Sequence, residues 1–214
     1  MPFLAFLRGR RERRLAAADE LRIARRLMAA EVAAFGDELS AARAVDTHVL
    51  TDHEVALGRF ELAQEALRTA TTADEVSRVE QVLNDGRFSL ACLLAARDGV
   101  APPRRRDPCF FNPRHGPAAH DVPWTPLGGA ARSIAVCGLD QGRLERGEEP
   151  ATRLIRVGDR YLPWHEAGSS VAAVARHQAH VGRGVATSLT SGHVAEAHAR
   201  SATGGINSSG GLLG

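Results

Sequence analysis

Two short stretches of this chain hold residues that could ligate a metal or act as nucleophiles. Cys109 and His115 lie in DPCFFNPRHGP, residues 107 to 117, and Cys137 and Asp140 lie in CGLD. Thiolate, imidazole and carboxylate all bind zinc. Loop ligands, then a hairpin, then ligands at a helix start is the order of a treble-clef zinc module. That order makes Cys109, His115, Cys137 and Asp140 the candidate ligand set. The spacing departs from the usual knuckle: five residues separate Cys109 from His115 where Cys-x2-Cys is usual, and aspartate stands where a cysteine is expected. The same residues also read as a stiff loop. Pro108, Pro113 and Pro117 restrict it, Gly116 admits an unusual backbone angle, and Phe110, Phe111 and Trp124 can plug a seam against the rest of the chain. His115 would then be a hydrogen-bonded anchor. A Cys109–Cys137 disulfide is a third option, disfavoured in a reducing cytoplasm. No cofactor is demanded, and zinc is the one candidate.

Catalytic readings find less support. A Cys/His hydrolase can be drawn from Cys109 with His115, or from Cys137 with His120, but no base orienter or oxyanion hole accompanies either pair. G-x-S-x-G, H-E-x-x-H, G-x-G-x-x-G and Walker patterns do not occur. All 27 basic residues are arginine, which excludes a Schiff-base or P-loop lysine. His177, His180, His193 and His198 do not share one clean helical face and read as solvated.

The 214 residues are 44% hydrophobic, much of it alanine, and 5% aromatic, so a thin core is expected. Net charge is only +2, yet residues 1 to 14 hold five arginines against one glutamate. A global basic field for nucleic acid is therefore absent. Arg8, Arg10, Arg11, Arg13 and Arg14 follow the apolar FLAFL and could meet an anionic membrane or phosphate, although the segment also reads as a frayed terminus. No run approaches the roughly 20 apolar residues of a membrane span. The expected location is cytoplasmic, with peripheral membrane attachment as the alternative.

Periodicity supplies the elements that would position these groups. Leu21, Ala24, Met28, Val32, Phe35, Leu39 and Ala42 make an apolar stripe over 12 to 44, with Arg22, Arg25, Arg26, Glu31, Asp37 and Glu38 as polar surface. Thr51 with Glu54, and Thr72 with Glu75, read as capping boxes opening a second and a third helix. Gly86 either weakens the third helix or lets a neighbour approach closely, and Gly99 ends it. Pro102, Pro103 and Pro108 break the helical pattern, and Arg104, Arg105 and Arg106 keep that break in water. VPWTPLGGAARSIAV then reads as strand, Gly-Gly turn, strand, followed by a short helix from about 139 to 146. TRLIRVGDRYLPW reads as a second hairpin turning at Gly158-Asp159. Ile155 and Val157, with Tyr161 and Trp164, would give it a small core.

The stretches CFFNPRHGP, DVPWTPLGG, VCGLD, RGEEP and RYLPWHEAG resemble a family of uncharacterised actinobacterial proteins. In these a helical hairpin precedes a CFFDPRHGP-type segment. The likeness covers roughly residues 50 to 168 and implies a shared architecture. Several relatives are membrane-associated or exported, whereas this chain lacks their membrane segment. Asn112 replaces the usual aspartate, and LPWHEAG departs from the usual tyrosine-tryptophan order.

The expected fold class is α+β: an N-terminal antiparallel helical bundle or coiled-coil hairpin, followed by a small β-hairpin module of treble-clef-like order. The expected parts are a basic segment 1–14, a bundle 15–100, a Pro/Arg linker 101–108, a β-rich module 109–168, a helix within 169–200 and a disordered Gly/Ser tail 201–214. The favoured function is non-enzymatic binding or scaffolding with another protein as partner. Phe110, Phe111, Trp124, Tyr161 and Trp164 are the candidate surface. A zinc-dependent module and a membrane-anchored protein are the competitors.

Overall fold

Alanine-rich stripes can pack closely only if something small lies where the helices cross, and Gly86 does so here. A Cβ at this position would stand 2.7 Å from the Phe35 ring and 3.1 Å from Arg59 Cβ. The glycine thus serves the close approach of three helices. In this computed structural model, which describes residues 2 to 42 and 50 to 183, they are α1 (Pro2–Ala41), α2 (Leu50–Thr69) and α3 (Ala73–Arg97). Ala24, Met28, Val32, Phe35, Leu39 and Ala42 of the α1 stripe are buried against Ala56 and Ala63 of α2 and Val76, Val79, Leu83, Leu90 and Leu93 of α3.

The termini follow capping chemistry, with two corrections. Thr72 Oγ1 accepts from the Glu75 amide at 3.2 Å. The Glu75 carboxylate, however, turns to the amide and hydroxyl of Thr71. Gly99, at φ +69°, closes α3, and the Val100 amide bonds back to Ala95 O at 2.9 Å. Thr51 lies inside α2 rather than ahead of it, so it is not the cap. Arg25 of α1 satisfies the other end of α2, donating to the carbonyls of Arg68 and Ala70. Helix α1 runs through the basic segment, so residues 2 to 14 are helical rather than frayed. The proline linker is not simply solvated. Arg105 pairs with Asp85 and lies 5.0 Å from the Phe88 ring, and Arg106 pairs with Asp121.

Beyond the linker the chain is α+β as expected. Strands β1 (His120–Trp124) and β2 (Arg132–Val136) form an antiparallel hairpin with His120 opposite Val136. Helix α4 (Gly138–Glu145) follows directly, then β3 (Leu154–Val157) and β4 (Arg160–Pro163), then the short α5 (Trp164–Ala167). Ile155 and Val157 face inward while Leu154 and Arg156 face out. Tyr161, opposite Arg156, is 66% exposed and does not join that core, whereas Trp164 is buried. A last helix, α6, occupies 171 to 183, and the rest of the expected 169–200 helix and the 201–214 tail lie outside the described residues, as do His193 and His198. The chain divides into two units, Met1–Ala179 and His180–Gly214, and the bundle and both hairpins belong to the first.

One ionic cluster ties the module to the bundle. Glu31, 3% exposed in α1, accepts from Arg114 at 2.7 Å, pairs with Arg153 at 2.6 Å and receives Arg87 of α3 at 3.3 Å. Arg153 also lies 4.6 Å from the Trp164 ring. Burial alone would raise the Glu31 pKa, but the three guanidinium groups hold it below its ordinary value. Nearby, Glu80 of α3 accepts from the Val171 amide at 2.9 Å and so caps α6 from a distance. Burial outweighs that bond and pushes the Glu80 pKa up to about 7.

Removing Glu31 leaves buried guanidinium groups unpaired, so Glu31→Ala is expected to cost about 3–5 kcal/mol in denaturant-induced unfolding. Glu80 acts in the opposite sense to a paired carboxylate. Between its ordinary pKa of 4.5 and about 7, the folded chain keeps a proton that the unfolded chain releases. Its contribution to stability therefore falls as pH rises through that window, by about 3 kcal/mol in all. Glu38 titrates in the same direction, so the measurement is the difference between wild type and Glu80→Gln. That variant is expected to gain stability over wild type above pH 7 and lose the gain near pH 4.5.

Candidate metal centre

The 107–117 segment is closed by its own backbone before any ligand is considered. Pro108 and Pro117 form an isolated antiparallel bridge. The Cys109 amide donates to Gly116 O at 3.1 Å and the Ala118 amide to Asp107 O at 2.8 Å. Inside the loop, Asn112 Oδ1 accepts from the Arg114 amide and starts a 3-10 turn, Pro113–His115. Gly116 ends it at φ +80°, a backbone angle that an L side chain resists. The loop thereby points Cys109 and His115 the same way. The Phe110 amide donates to Ala135 O in β2, fixing the loop on the hairpin.

The hairpin delivers the other pair. Cys137 follows β2 directly and is the N-cap of α4, its Sγ accepting from the Asp140 amide at 3.5 Å. Asp140 lies in the first turn, fully buried. Its Oδ1 accepts from the Ala151 amide at 2.8 Å, leaving Oδ2 to face the sulfurs and the imidazole. One ligand atom from each of Cys109, His115, Cys137 and Asp140 lies within 4.8 Å of every other, and all but His115 are buried. The group could hold a metal ion. The three cysteines are free, so the disulfide option is not taken; Cys92 is half-buried on α3, away from this group.

The electrostatics polarise the two thiols. A hydrogen bond between them, with burial, raises the Cys109 pKa, while Cys137 is lowered to about 7 by the same bond against the cost of its burial, helped by the Asp140 amide. Cys137 is thus the readier thiolate, seated at a helix amino end. His115 is raised, first by its hydrogen bond to Cys109 and then by the Asp140 charge. Burial pushes Asp140 up, but the Ala151 amide, Cys109 and His115 bring it below its ordinary value.

The aromatic residues are mostly not surface. Phe111 and Trp164 are 0% and 3% exposed, which corrects their place in an interaction surface. Phe111 joins Cys109, Ile134, Val136 and Cys137 in a core inside the module, with half-buried Phe110 and Trp124 against it. The plug therefore fills the module rather than a seam with the bundle. His165, absent from the sequence-based site, closes the stack 5.0 Å from Phe110 and 5.1 Å from Trp124. Arg132 covers both rings. Tyr161 alone of the five stands free in solvent. Arg8, Arg10, Arg11, Arg13 and Arg14 are exposed along α1, well apart in sequence from the metal-ligand group.

Glu31, expected on the polar surface of α1, is instead buried. Its spacing carries the signal: Ala24, Met28, Glu31 and Phe35 run four, three, four, in phase with the apolar stripe. Arg114 and Arg153, its partners, have no comparable signal. Comparison with family profiles, curated proteins and solved structures finds no match.

Proposed function

We propose that this is a non-enzymatic binding or scaffold protein whose β module is held by a structural zinc ion at Cys109, His115, Cys137 and Asp140. The observation that carries the reading is the set of edges between ligand atoms. Cys137 Sγ lies 3.5 Å from His115 Nδ1 and 3.6 Å from Asp140 Oδ2. Cys109 Sγ lies 3.2 Å from Asp140 Oδ2, which is 3.0 Å from His115 Nδ1. Zinc bonds of about 2.3 Å to sulfur and 2.0–2.2 Å to nitrogen and oxygen give tetrahedral edges of about 3.3–3.8 Å, the longest between the two sulfurs. These four edges lie within about half an ångström of a tetrahedral shell, and every ligand atom lies within 4.8 Å of every other. Sulfur and imidazole donors suit zinc over the hard cations. Four protein donors leave no open position for a reacting water, which favours a structural over a catalytic role. The bond from Ala151 to Asp140 is the outer support such ligands need.

Another protein remains the favoured partner, and the exposed Leu139, Leu154 and Tyr161 of the module are apolar surface available to it. The resemblance to the helical-hairpin family supports the architecture alone. Membrane attachment is the second reading, favoured by Phe6 and Leu7, 59% and 43% exposed, directly ahead of the five exposed arginines.

Metal analysis of the purified chain is expected to find about one zinc per molecule. Cys109→Ser and Asp140→Asn should each weaken zinc by at least about tenfold, while Cys92→Ser leaves it unchanged. Chelation should lower the melting temperature and collapse the amide dispersion of residues 109 to 167; a metal-free chain melting identically would overturn the zinc reading. In vesicle flotation, the membrane reading expects binding to phosphatidylserine vesicles that is lost when all five arginines become glutamine, and no binding at low salt removes it.

A further inference from the structure

The Glu31 cluster does not fill the space around it. A cavity of about 340 Å³ lies between α1, α3 and the start of the second hairpin, with Glu31, Glu80, Arg87, Arg153, Ser77 and Asn84 among its walls. That is the lower end of the range for small-molecule sites. Unlike most such sites its lining is rich in ionic and hydrogen-bonding groups.

Some of these groups are unsatisfied. Ser77 Oγ is buried without a hydrogen-bond partner, and Arg87 Nε, on a side chain only 4% exposed, makes no hydrogen bond and meets the Glu38 carboxylate as an ion pair at 3.6 Å. Buried polar atoms are nearly always paired, and an unpaired one costs about 1–3 kcal/mol. The charges are also unbalanced. Arg87, Arg114 and Arg153 share the carboxylates of Glu31 and Glu38, which leaves a positive excess even with both ionised. Arg153 registers it: burial lowers its pKa, and the neighbouring Arg114 and Arg87 charges act in the same direction against Glu31. Glu80, pushed up to about 7 by burial, is only about half ionised near neutral pH and offsets that excess in part. A pocket with surplus guanidinium charge and a free hydroxyl is complementary to an anion that also accepts hydrogen bonds.

We propose that this cavity binds a small organic carboxylate, its carboxylate beside Arg87 and Arg153 and its remaining polar groups beside Ser77 and Asn84. Guanidinium groups recognise carboxylates by charge and by their paired donors, and the volume limits the guest to a few heavy atoms beyond the carboxylate. The site is separate from the metal ligands and does not depend on the zinc reading.

The test is calorimetric titration of the full chain as purified with sodium acetate, glycolate and succinate at millimolar concentrations. Choline chloride, ethylene glycol and sodium sulfate serve as cationic, neutral and inorganic-anion controls. The expected result is one-to-one binding of glycolate or succinate that exceeds all three controls and acetate, which has no second polar group for Ser77. Ser77→Val removes the free hydroxyl without disturbing a bonded one. It is expected to fold with a melting temperature no lower than that of the wild type and bind that carboxylate about tenfold more weakly, the worth of one hydrogen bond. Absence of carboxylate binding, binding of sulfate at equal strength, or undiminished binding in Ser77→Val overturns the assignment.

Discussion

A carboxylate buried in the first helix fixes how this molecule is assembled. Glu31 sits in the α1 stripe, where a leucine would pack, and it meets three guanidinium groups from three separate places: α3, the 113–115 turn and the residue ahead of β3. A buried ion pair gains little net stability, because desolvation offsets most of the attraction. It does impose register. An apolar contact tolerates sliding, whereas a carboxylate with two oxygens and three arginines is satisfied in one arrangement only. The thin alanine core leaves position loosely specified, and this polar junction specifies it.

The junction and the candidate metal centre are adjacent in the chain. Arg114 and His115 are consecutive, carried on one 3-10 turn whose ends are set by Asn112 and Gly116. Arg114 reaches Glu31 while His115 turns to Asp140. Whatever orders the ligand loop also orders the arginine that docks the module on the bundle. Arg153 repeats the device. Its amide donates to Phe111 O and its carbonyl accepts from the Trp164 amide, so the second hairpin is tied to the same loop that bears Cys109. The module is thereby stitched through backbone bonds to one short segment, and that segment is where a metal would act.

The aromatic stack gives the loop its packing. Phe110 and Phe111 are consecutive, yet both find rings, because Trp124 and His165 approach from β1 and α5. His165 stays below its ordinary pKa, mainly through burial, which suits a ring used as a neutral packing surface. These residues carry the module's own core, and the exposed leucines and Tyr161 are apolar side chains left on its surface.

By itself the sequence determined what short-range rules can determine. Apolar spacing of three and four marks α1 and α3, Thr72 and Gly99 mark the ends of α3, and Gly158-Asp159 marks the second hairpin, because caps and turns depend on neighbours within a few residues. The order of Cys109, His115, Cys137 and Asp140 is likewise legible as that of a treble clef, although their spacing counts against a shared centre. Tertiary structure decided the rest. A 3-10 turn, Pro113–His115, closed by Gly116 at positive φ just beyond it, folds the loop back, so an irregular spacing still ends with both side chains on one side. Glu31 became a core residue only because Arg114 and Arg153, 83 and 122 positions further on, arrive to neutralise it. No local pattern encodes a charge pair across such a separation, since its energy exists only once the desolvated partners are already side by side.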